Sequence, residues 1–357
     1  MSLKVKIFIS DMGWGTLSRE CAIINQLQAT FKDIKIFVQL KKNKSAYNFF
    51  FRNKKNIFLK ESENLIKWFP NKKGSIDINK TRSYYSNYSD MLKNWLNHNE
   101  KDLDYDFFIS DILPEAFLLG SKNQIPTFGV CHYTWDWYFS KFFPSPVPFE
   151  IIKNWEKMQR KASLFFFPPF TPDSIKKKYI NHQEVNFITR SKNYNQKLKK
   201  NKIAKILFLD SGENLNLTFF KKIISTYQFE KRYKFYHPES FGYFKNTTIL
   251  KKGTFIGDRI KEFDLVIGRP GYNTMTEIFK FNIPALFLRG RLDPEMDWNL
   301  ASMIGNELAG YVDPKNLYLK FKLIVDQALA QRKNLNFYKK KDFNGQQQIV
   351  KKIQQIV

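Results

Sequence analysis

The sequence is poor in the residues on which several classes of protein depend. Among 357 residues there are 2 cysteines, Cys21 and Cys131, and 4 histidines. Two cysteines cannot form a disulfide framework, and without a Cys-x-x-Cys pair a structural zinc site is not expected. No stretch approaches the roughly 18 apolar residues of a membrane-spanning helix, and lysines interrupt the start MSLKVKIFIS, unlike a signal peptide. We therefore expect cytoplasmic localisation.

The charge of the chain is strongly one-sided. Lysine and arginine number 59 and aspartate and glutamate 33, which gives a formal net charge of +26 at pH 7. Two explanations stay open: a bias of the whole composition towards Lys, Asn, Ile and Phe, and selection for an anionic partner such as a membrane surface. Because the sequence contains no recognisable nucleic-acid-binding module, we expect no nucleic acid partner.

The order of apolar segments predicts two α/β halves. A strand at 5–9, an amphipathic helix and a strand at 34–40 form a first βαβ unit, and the alternation resumes with a strand at 203–209. We expect two domains facing each other across a cleft, with ligands at the carboxyl ends of their strands. The predicted divisions are an N-terminal domain at 1–185, a C-terminal domain at 186–340, and a helix at 341–357 that packs back on the first. Residues 171–202 resemble a linker, apart from a short strand at 185–188.

A glycine-containing turn follows the first predicted strand. Gly13-Trp14-Gly15 precedes the first helix, and the amide groups at a helix start favour an anion. The dinucleotide fingerprint needs a third glycine, but Ser18 stands there, and lysines rather than a ribose-binding acid follow the second strand. We therefore do not expect NAD binding. The turn either joins strand to helix or faces another ligand.

The segment richest in binding chemistry is DLVIGRPGYNTMTEIFKFNIPALFLRGRLDPEMDWN at 264–299. A buried strand is followed by a sharp turn at Pro270-Gly271 and by a helix whose N-terminal amides suit a diphosphate. We expect Glu277 in the first turn of this helix, where its carboxylate either accepts hydrogen bonds from a sugar diol or balances the helix dipole. A following loop either binds hydroxyl groups or is simply solvated, and its polar residues are Asp293, Glu295, Asp297 and Asn299.

This segment resembles the donor-binding half of GT-B glycosyltransferases, which use nucleotide sugars. The similar elements are Pro270-Gly271, Thr274 and Glu277, then Pro284-Ala285-Leu286, then Glu295 and Asn299. The resemblance is greatest to the peptidoglycan N-acetylglucosaminyltransferase type and its relatives. Weaker similarities extend over most of the chain, at residues 13–19, 108–111, 188–190 and 210–212.

The resemblance implies an α/β fold of two Rossmann-like domains in the GT-B architecture, with no cofactor and no bound metal. The positions that it assigns to the donor are Arg190, Ser211, Gly212, Gly271, Tyr272, Thr274, Glu277, Glu295 and Asn299. Within this set, Gly271 and Thr274 would contact the phosphates and Glu277 the ribose hydroxyls. Glu295, with Asn299 nearby, would read the transferred sugar. The diphosphate would also be held by the arginine and by the Ser-Gly pair.

The acceptor side departs from the resemblance at one position. Its residues are Gly13, Trp14, Gly15 and Thr16. Relatives often carry a histidine base where Thr16 stands, and a threonine hydroxyl does not act as a base at neutral pH. Three interpretations stay open: Asp111 or Asp11 is the base, His132 serves instead, or the protein binds without catalysing.

The function that the resemblance implies is transfer of a sugar from a nucleotide-linked, UDP-type donor to a hydroxyl acceptor by inverting displacement. The acceptor would be a lipid-linked or cell-surface glycan precursor, as in cell-envelope synthesis. Two alternatives stay open: a nucleotide-sugar hydrolase or isomerase on the same fold, and a non-catalytic nucleotide-sugar-binding subunit. An aromatic run at 134–139, extended by Phe142-Phe143-Pro144, either stacks on sugar or lipid or lines a core. With its lysines it is compatible with peripheral attachment to the inner face of an anionic membrane.

Overall fold

The computed structural model describes residues 2–10, 14–41, 44–52, 54–71, 76–190, 203–209, 217–251, 256–288, 293–305, 310–331, 338 and 340–357. The chain divides into two compact units. The first is Met1–Arg190 together with Phe343–Val357, and the second is Ser191–Asp342. The first division thus falls after Arg190, where the sequence suggests 185.

A parallel sheet forms the centre of the first unit. Its strands are β1 (Lys4–Ile9), β2 (Lys35–Gln39), β3 (Ile57–Lys60), β4 (Phe107–Asp111), β5 (Thr127–Val130), β6 (Leu164–Phe167) and β7 (His182–Glu184). Their order is β3-β2-β1-β4-β5-β6-β7, and all paired neighbours are parallel. The central strands β1 and β4 are buried almost throughout, including Lys6 of β1, as inner strands of a parallel sheet are. The strand order reverses between β1 and β4, which makes that edge a topological switch point.

Helices connect these strands and supply an aromatic core. They are α1 (Trp14–Thr30), α2 (Lys44–Phe51), α3 (Ile78–Tyr85), α4 (Tyr88–Asn99), α5 (Pro114–Lys122), α6 (Trp135–Ser140), α7 (Phe149–Gln159) and α8 (Asp173–Lys178). The ring centroid of Phe8 lies 5.2 Å from that of Phe108 and 5.9 Å from that of Trp95. In α6, Trp135 and Phe139 are fully buried in the same cluster. Of the two interpretations of the run at 134–139, the structure therefore supports the core.

The second unit has a separate parallel sheet. Its strands are β8 (Ala204–Phe208), β9 (Tyr233–Pro238), β10 (Thr247–Leu250), β11 (Leu265–Gly268), β12 (Ala285–Phe287) and β13 (Gly310–Tyr311). Their order is β10-β9-β8-β11-β12-β13, so this sheet has its switch point between β8 and β11. The described helices are α9 (Leu217–Tyr227), α10 (Tyr272–Phe281), α11 (Pro294–Gly305), α12 (Pro314–Leu319) and α13 (Phe321–Gln331). Two α/β units with parallel sheets confirm the predicted fold class.

The last helix, α14 (Gly345–Gln354), belongs to the first unit and packs against α1. The Gly345 N–H donates to the Phe187 carbonyl at 3.1 Å, and a Cβ on Gly345 would lie 2.1 Å from the Asn186 carbonyl oxygen. The strand expected at 185–188 is therefore wrong. Those residues extend the chain beyond β7, and their apolar side chains are buried because this tail covers them. None of the described helices combines the length and the apolar character needed to cross a membrane.

Candidate functional site

Each sheet offers one ligand site where its strand order reverses. In open α/β sheets, ligands bind outside the carboxyl ends of the strands at such a switch point. The first unit has this position after β1 and β4, and the second has it after β8 and β11. The residues predicted for the acceptor side follow β1, β4 and β5, and most of those predicted for the donor follow β8 and β11. Apart from Arg190, which lies in the first unit, the two groups thus belong to different units.

The loop between β1 and α1 is described only in part. Asp11 and Gly13 lie outside the described residues, and α1 begins at Trp14. Gly15 and Thr16 stand in the first turn of the helix. The Thr16 hydroxyl donates to the Ser10 carbonyl at 2.9 Å. Thr16 therefore contributes a hydrogen bond that joins the helix start to the end of β1.

An arginine links three elements at this edge of the sheet. Arg19, in α1, donates from Nη2 to Asp111 Oδ1 and from Nη1 to His132 Nδ1, the latter at 3.3 Å. Asp111 is the last residue of β4, and His132 lies just beyond β5. All three side chains are almost completely buried. Two predicted catalytic residues are therefore brought together by a third residue to which the sequence analysis assigned no role.

Glu20 adjoins this cluster as a second buried carboxyl group. Its Oε1 lies 3.9 Å from Arg19 Nε, and neither carboxyl oxygen has a hydrogen-bond partner among the described residues. Burial raises the pKa of Glu20 well above its ordinary value of 4.5, and the nearby charge of Asp111 raises it further. Burial therefore favours the neutral form of Glu20, and Asp111 is the carboxylate that contacts the Arg19 guanidinium directly.

The turn after β4 holds a strained backbone next to this cluster. Ile112 has φ 56°, a left-handed conformation that β-branched residues rarely adopt. The Ser110 hydroxyl accepts from the Leu113 N–H and donates to the Leu113 carbonyl, both at 3.0 Å. Strain of this kind persists only where the surroundings enforce it, and it concentrates at functional sites. Here it accompanies the bend by which the chain leaves β4 directly after Asp111.

Two signals in the sequence point to Glu20 and Arg19, which the resemblance to known motifs did not identify. Glu20 lies between Leu17 and Ile24, at three- and four-residue spacing, so a charged residue interrupts the apolar stripe of α1. A buried charge needs a partner, and its neighbour Arg19 supplies a positive one. The identity of the partners on other strands could not be read from local spacing.

The second unit combines close packing and open space at its switch point. A Cβ on Gly268, the last residue of β11, would lie 2.8 Å from the Leu209 carbonyl oxygen. Gly271 precedes α10, and a Cβ there would meet no atom of the described residues within 4 Å. The ends of β8 and β11 therefore require glycine to approach each other, whereas Gly271 leaves room for an incoming group.

Helix α10 begins directly after Gly271, so its N-terminus faces the switch point of the second sheet. The first amides of a helix have no acceptor within it and carry the positive end of its dipole, which suits an anion. Thr274 lies in the first turn and is half-buried, whereas Tyr272 is buried. Glu277 lies in the second turn, not the first as expected, because the helix starts at Tyr272, and only 7% of the residue is exposed.

The acidic segment after β12 is mainly helical, which corrects the expected loop. Helix α11 begins at Pro294, and Asp293 caps it by accepting from the Glu295 N–H at 3.1 Å. Glu295 is half-buried in the first turn. Asn299 is fully buried and donates to the Pro270 carbonyl at 3.0 Å, so it joins α11 to the turn before α10.

Of the three remaining residues predicted for the donor, only Arg190 is among the described residues. Ser211 and Gly212 lie outside them. Arg190 stacks its guanidinium carbon 4.9 Å from the ring centroid of Phe50 in α2. In the described part of the chain, no three His, Cys, Asp or Glu side chains are grouped so as to hold a metal ion.

Comparison with known proteins identifies the architecture. The spinosyn rhamnosyltransferase SpnG superposes with a TM-score of 0.66 at 10% identity, covering 99% of this chain and 100% of its own. MurG from Acinetobacter baumannii gives 0.62 at 15% identity, with 99% and 100% covered. Arabidopsis thaliana UGT89C1 gives 0.67 at 8% identity, with 99% of both chains covered.

The chain has the GT-B fold. No protein-family model and no curated protein matches the sequence, so the GT-B likeness rests on structure and shows the fold alone. SpnG also matches as a complex with thymidine diphosphate, and UGT89C1 as complexes with UDP-L-rhamnose and with quercetin.

Proposed function

We propose that this GT-B protein is a glycosyltransferase that moves a sugar from a UDP-type nucleotide donor to a hydroxyl acceptor by inverting displacement. The observation that carries the proposal is the start of α10, where Gly271 leaves open space beside a helix N-terminus at the switch point of the second sheet. Such a position favours a diphosphate through backbone amides and the helix dipole, without a metal ion. The nucleotide complexes of SpnG and UGT89C1 support the same donor class.

In this proposal the second unit binds the donor. Gly271 and Thr274 contact the phosphates, and the first-turn amides of α10 stabilise the charge that develops on the departing diphosphate. Glu277 accepts hydrogen bonds from the ribose hydroxyls, and Glu295 reads the sugar. Arg190 and the Ser211-Gly212 pair assist at the diphosphate. Asn299 acts indirectly, because its bond to the Pro270 carbonyl positions the turn.

The first unit binds the acceptor through the start of α1, with Trp14, Gly15 and Thr16. A base removes the proton of the acceptor hydroxyl as the oxygen attacks the anomeric carbon. Asp111 and His132 are both bound by Arg19, which argues against either as that base. Asp11 stays a prediction from the sequence. The acceptor class we propose is a lipid-linked or cell-surface glycan precursor.

Nucleotide binding tests the proposal directly. The full chain is heated with UDP, GDP, TDP, CMP and their sugars, because a ligand that binds only the folded state raises the melting temperature. We expect one nucleotide class, UDP, to stabilise the wild type and to stabilise Glu277→Ala much less. Glu230→Ala is the matched control. Glu230 precedes β9 and so lies at the amino end of the strands, away from the carboxyl ends where the donor is proposed to bind. If no nucleotide stabilises the wild type, the proposal fails.

Two assays separate the transferase from its alternatives. Release of free sugar without any acceptor would indicate a hydrolase, and interconversion of the nucleotide sugar would indicate an isomerase. Nucleotide-sugar binding without turnover across a panel of acceptors would indicate a non-catalytic subunit. We expect turnover that depends on a hydroxyl acceptor, with inversion at the anomeric carbon.

A membrane-facing surface is proposed for the segment between α6 and α7. Phe143 is fully exposed and Phe149 largely so. Lys141 Nζ lies 5.3 Å from the ring centroid of Trp137, and Lys153 Nζ lies 5.4 Å from that of Phe149. Exposed aromatic rings beside lysines match the chemistry of an anionic lipid surface.

Vesicle flotation tests this surface. We expect the full chain to bind vesicles that contain anionic lipid and to bind neutral vesicles weakly, with binding reduced in Phe143→Ser. Tyr243→Ser is the matched control, because Tyr243 is a strongly exposed aromatic residue of the second unit. Equal loss in both variants, or binding independent of lipid charge, would contradict the proposal.

A further inference from the structure

We propose that Arg19 is a positioning residue of the acceptor side, which holds Asp111 as its ionic partner and His132 as the tautomer protonated on Nε2. The inference rests on the proposed transfer reaction and deepens it, because it assigns roles to a buried cluster at the switch point of the first unit. The cluster belongs to the acceptor side, where this chain departs from the family it resembles because Thr16 stands in place of a histidine base.

The tautomer follows from hydrogen-bond chemistry. A guanidinium group has five N–H donors and no acceptor. The contact between Arg19 Nη1 and His132 Nδ1, at 3.3 Å, therefore requires a lone pair on Nδ1. A neutral imidazole with a lone pair on Nδ1 carries its proton on Nε2. His132 is thus a hydrogen-bond donor through Nε2 rather than a base.

The contact with Arg19 also agrees with a neutral His132. A second proton on His132 would place a positive charge next to the Arg19 guanidinium, 3.3 Å away and inside the protein. Because like charges in contact repel each other, this contact favours the neutral ring.

The geometry explains why an arginine is needed. Its planar fork presents two donors at fixed angles, so one side chain bridges the end of β4 and the segment after β5. A lysine is a point charge on a flexible stem and cannot hold both acceptors in one plane. Pairing of β4 with β1 places Asp111 opposite Ile9 at the end of the strand, which fixes that end of the bridge. Arg19 consequently keeps both groups from accepting the proton of the acceptor hydroxyl.

Histidine NMR tests the inference without reference to activity. The full chain is labelled with ¹⁵N-histidine, and long-range ¹H–¹⁵N correlation spectra distinguish the two neutral tautomers from the doubly protonated ring. With 4 histidines in the chain, the His132 signals are assigned by their loss in His132→Gln. We expect the Nε2–H tautomer in the wild type at pH 7. A ring protonated on Nδ1, alone or with Nε2, would overturn the inference.

Variants separate positioning from folding. In Arg19→Lys, which keeps the charge, we expect His132 to lose its single tautomer. Glu20→Gln should leave the tautomer unchanged, because neither carboxyl oxygen of Glu20 has a hydrogen-bond partner among the described residues. Stabilisation by UDP stays as in the wild type, since Arg19 is not among the proposed donor residues and all of these except Arg190 lie in the other unit. Transfer by Arg19→Lys falls about 10- to 100-fold in kcat, because a displaced His132 and Asp111 no longer align the acceptor, with little change in the donor KM. A wild-type tautomer retained in Arg19→Lys would refute the role of Arg19, whereas absence of any nucleotide binding would refute the donor proposal alone.

Discussion

Glu115 provides a sensitive test of the packing in the first unit. It lies in the first turn of α5 and is fully buried among aromatic rings. The Tyr88 hydroxyl lies 3.5 Å from Glu115 Oε1 and accepts from Trp155 Nε1 at 2.7 Å. Because burial removes water from the carboxylate, the pKa of Glu115 rises from 4.5 to about 7.

The sign and size of the effect on stability follow from proton linkage. The folded state holds a proton that the unfolded state releases above pH 4.5, so stability falls as the pH rises from about 4.5 to about 7. At about 1.4 kcal/mol for each pH unit between the two pKa values, the full loss is roughly 3 kcal/mol. Most of it, about 2.5 kcal/mol, falls between pH 5 and pH 8.

The assay compares urea unfolding of the wild type and Glu115→Gln at several pH values from 5 to 8. Six of the seven tryptophans lie within residues 1–190, so tryptophan fluorescence reports mainly on the first unit. We expect the glutamine variant to gain about 2.5 kcal/mol relative to the wild type between pH 5 and pH 8. Glu63→Gln is the control, because Glu63 is exposed and its hydrogen bond with Lys41 lowers its pKa. Any pH dependence that Glu63 adds to the free energy of unfolding therefore has the opposite sign. A difference between wild type and Glu115→Gln that does not change with pH would refute the reasoning.

Three further outcomes are expected. Burial lowers the pKa of Lys6 to about 8, so the wild type should gain stability as the pH rises from 8 to 10, and Lys6→Met should lack this gain in urea unfolding. Gly268→Ala should destabilise the second unit by about 1–3 kcal/mol, because the added Cβ clashes with the Leu209 carbonyl. Gly271→Ala should unfold like the wild type but lose nucleotide binding. Equal stability of these two variants would contradict the close approach of Gly268 to Leu209. Asn299→Ala should lower the free energy of unfolding by about 1–2 kcal/mol, and an unchanged melting curve would show that its bond to the turn before α10 is unimportant.

The candidate sites were partly readable from the sequence. The turn at Pro270-Gly271 and the helix after it were predicted because a buried strand, a breaker and a new apolar period follow one another within a few residues. The position of Glu277 was displaced by part of a turn, since helix starts are weakly encoded. The role of Asn299 was missed because its partner, the Pro270 carbonyl, is 29 residues away.

By itself, the sequence determined the two α/β halves of this protein and the order of most of their strands and helices. Apolar periodicity is a local property, and each strand or helix displays it within a few residues. The tertiary structure alone decided which charges meet. Arg19 is separated from Asp111 by 92 residues and from His132 by 113, and only the return of β4 and β5 to the same edge of the sheet joins them. The same reason explains residues 185–188, whose apolar run looks like a strand locally but is buried by a tail that arrives from the far end of the chain.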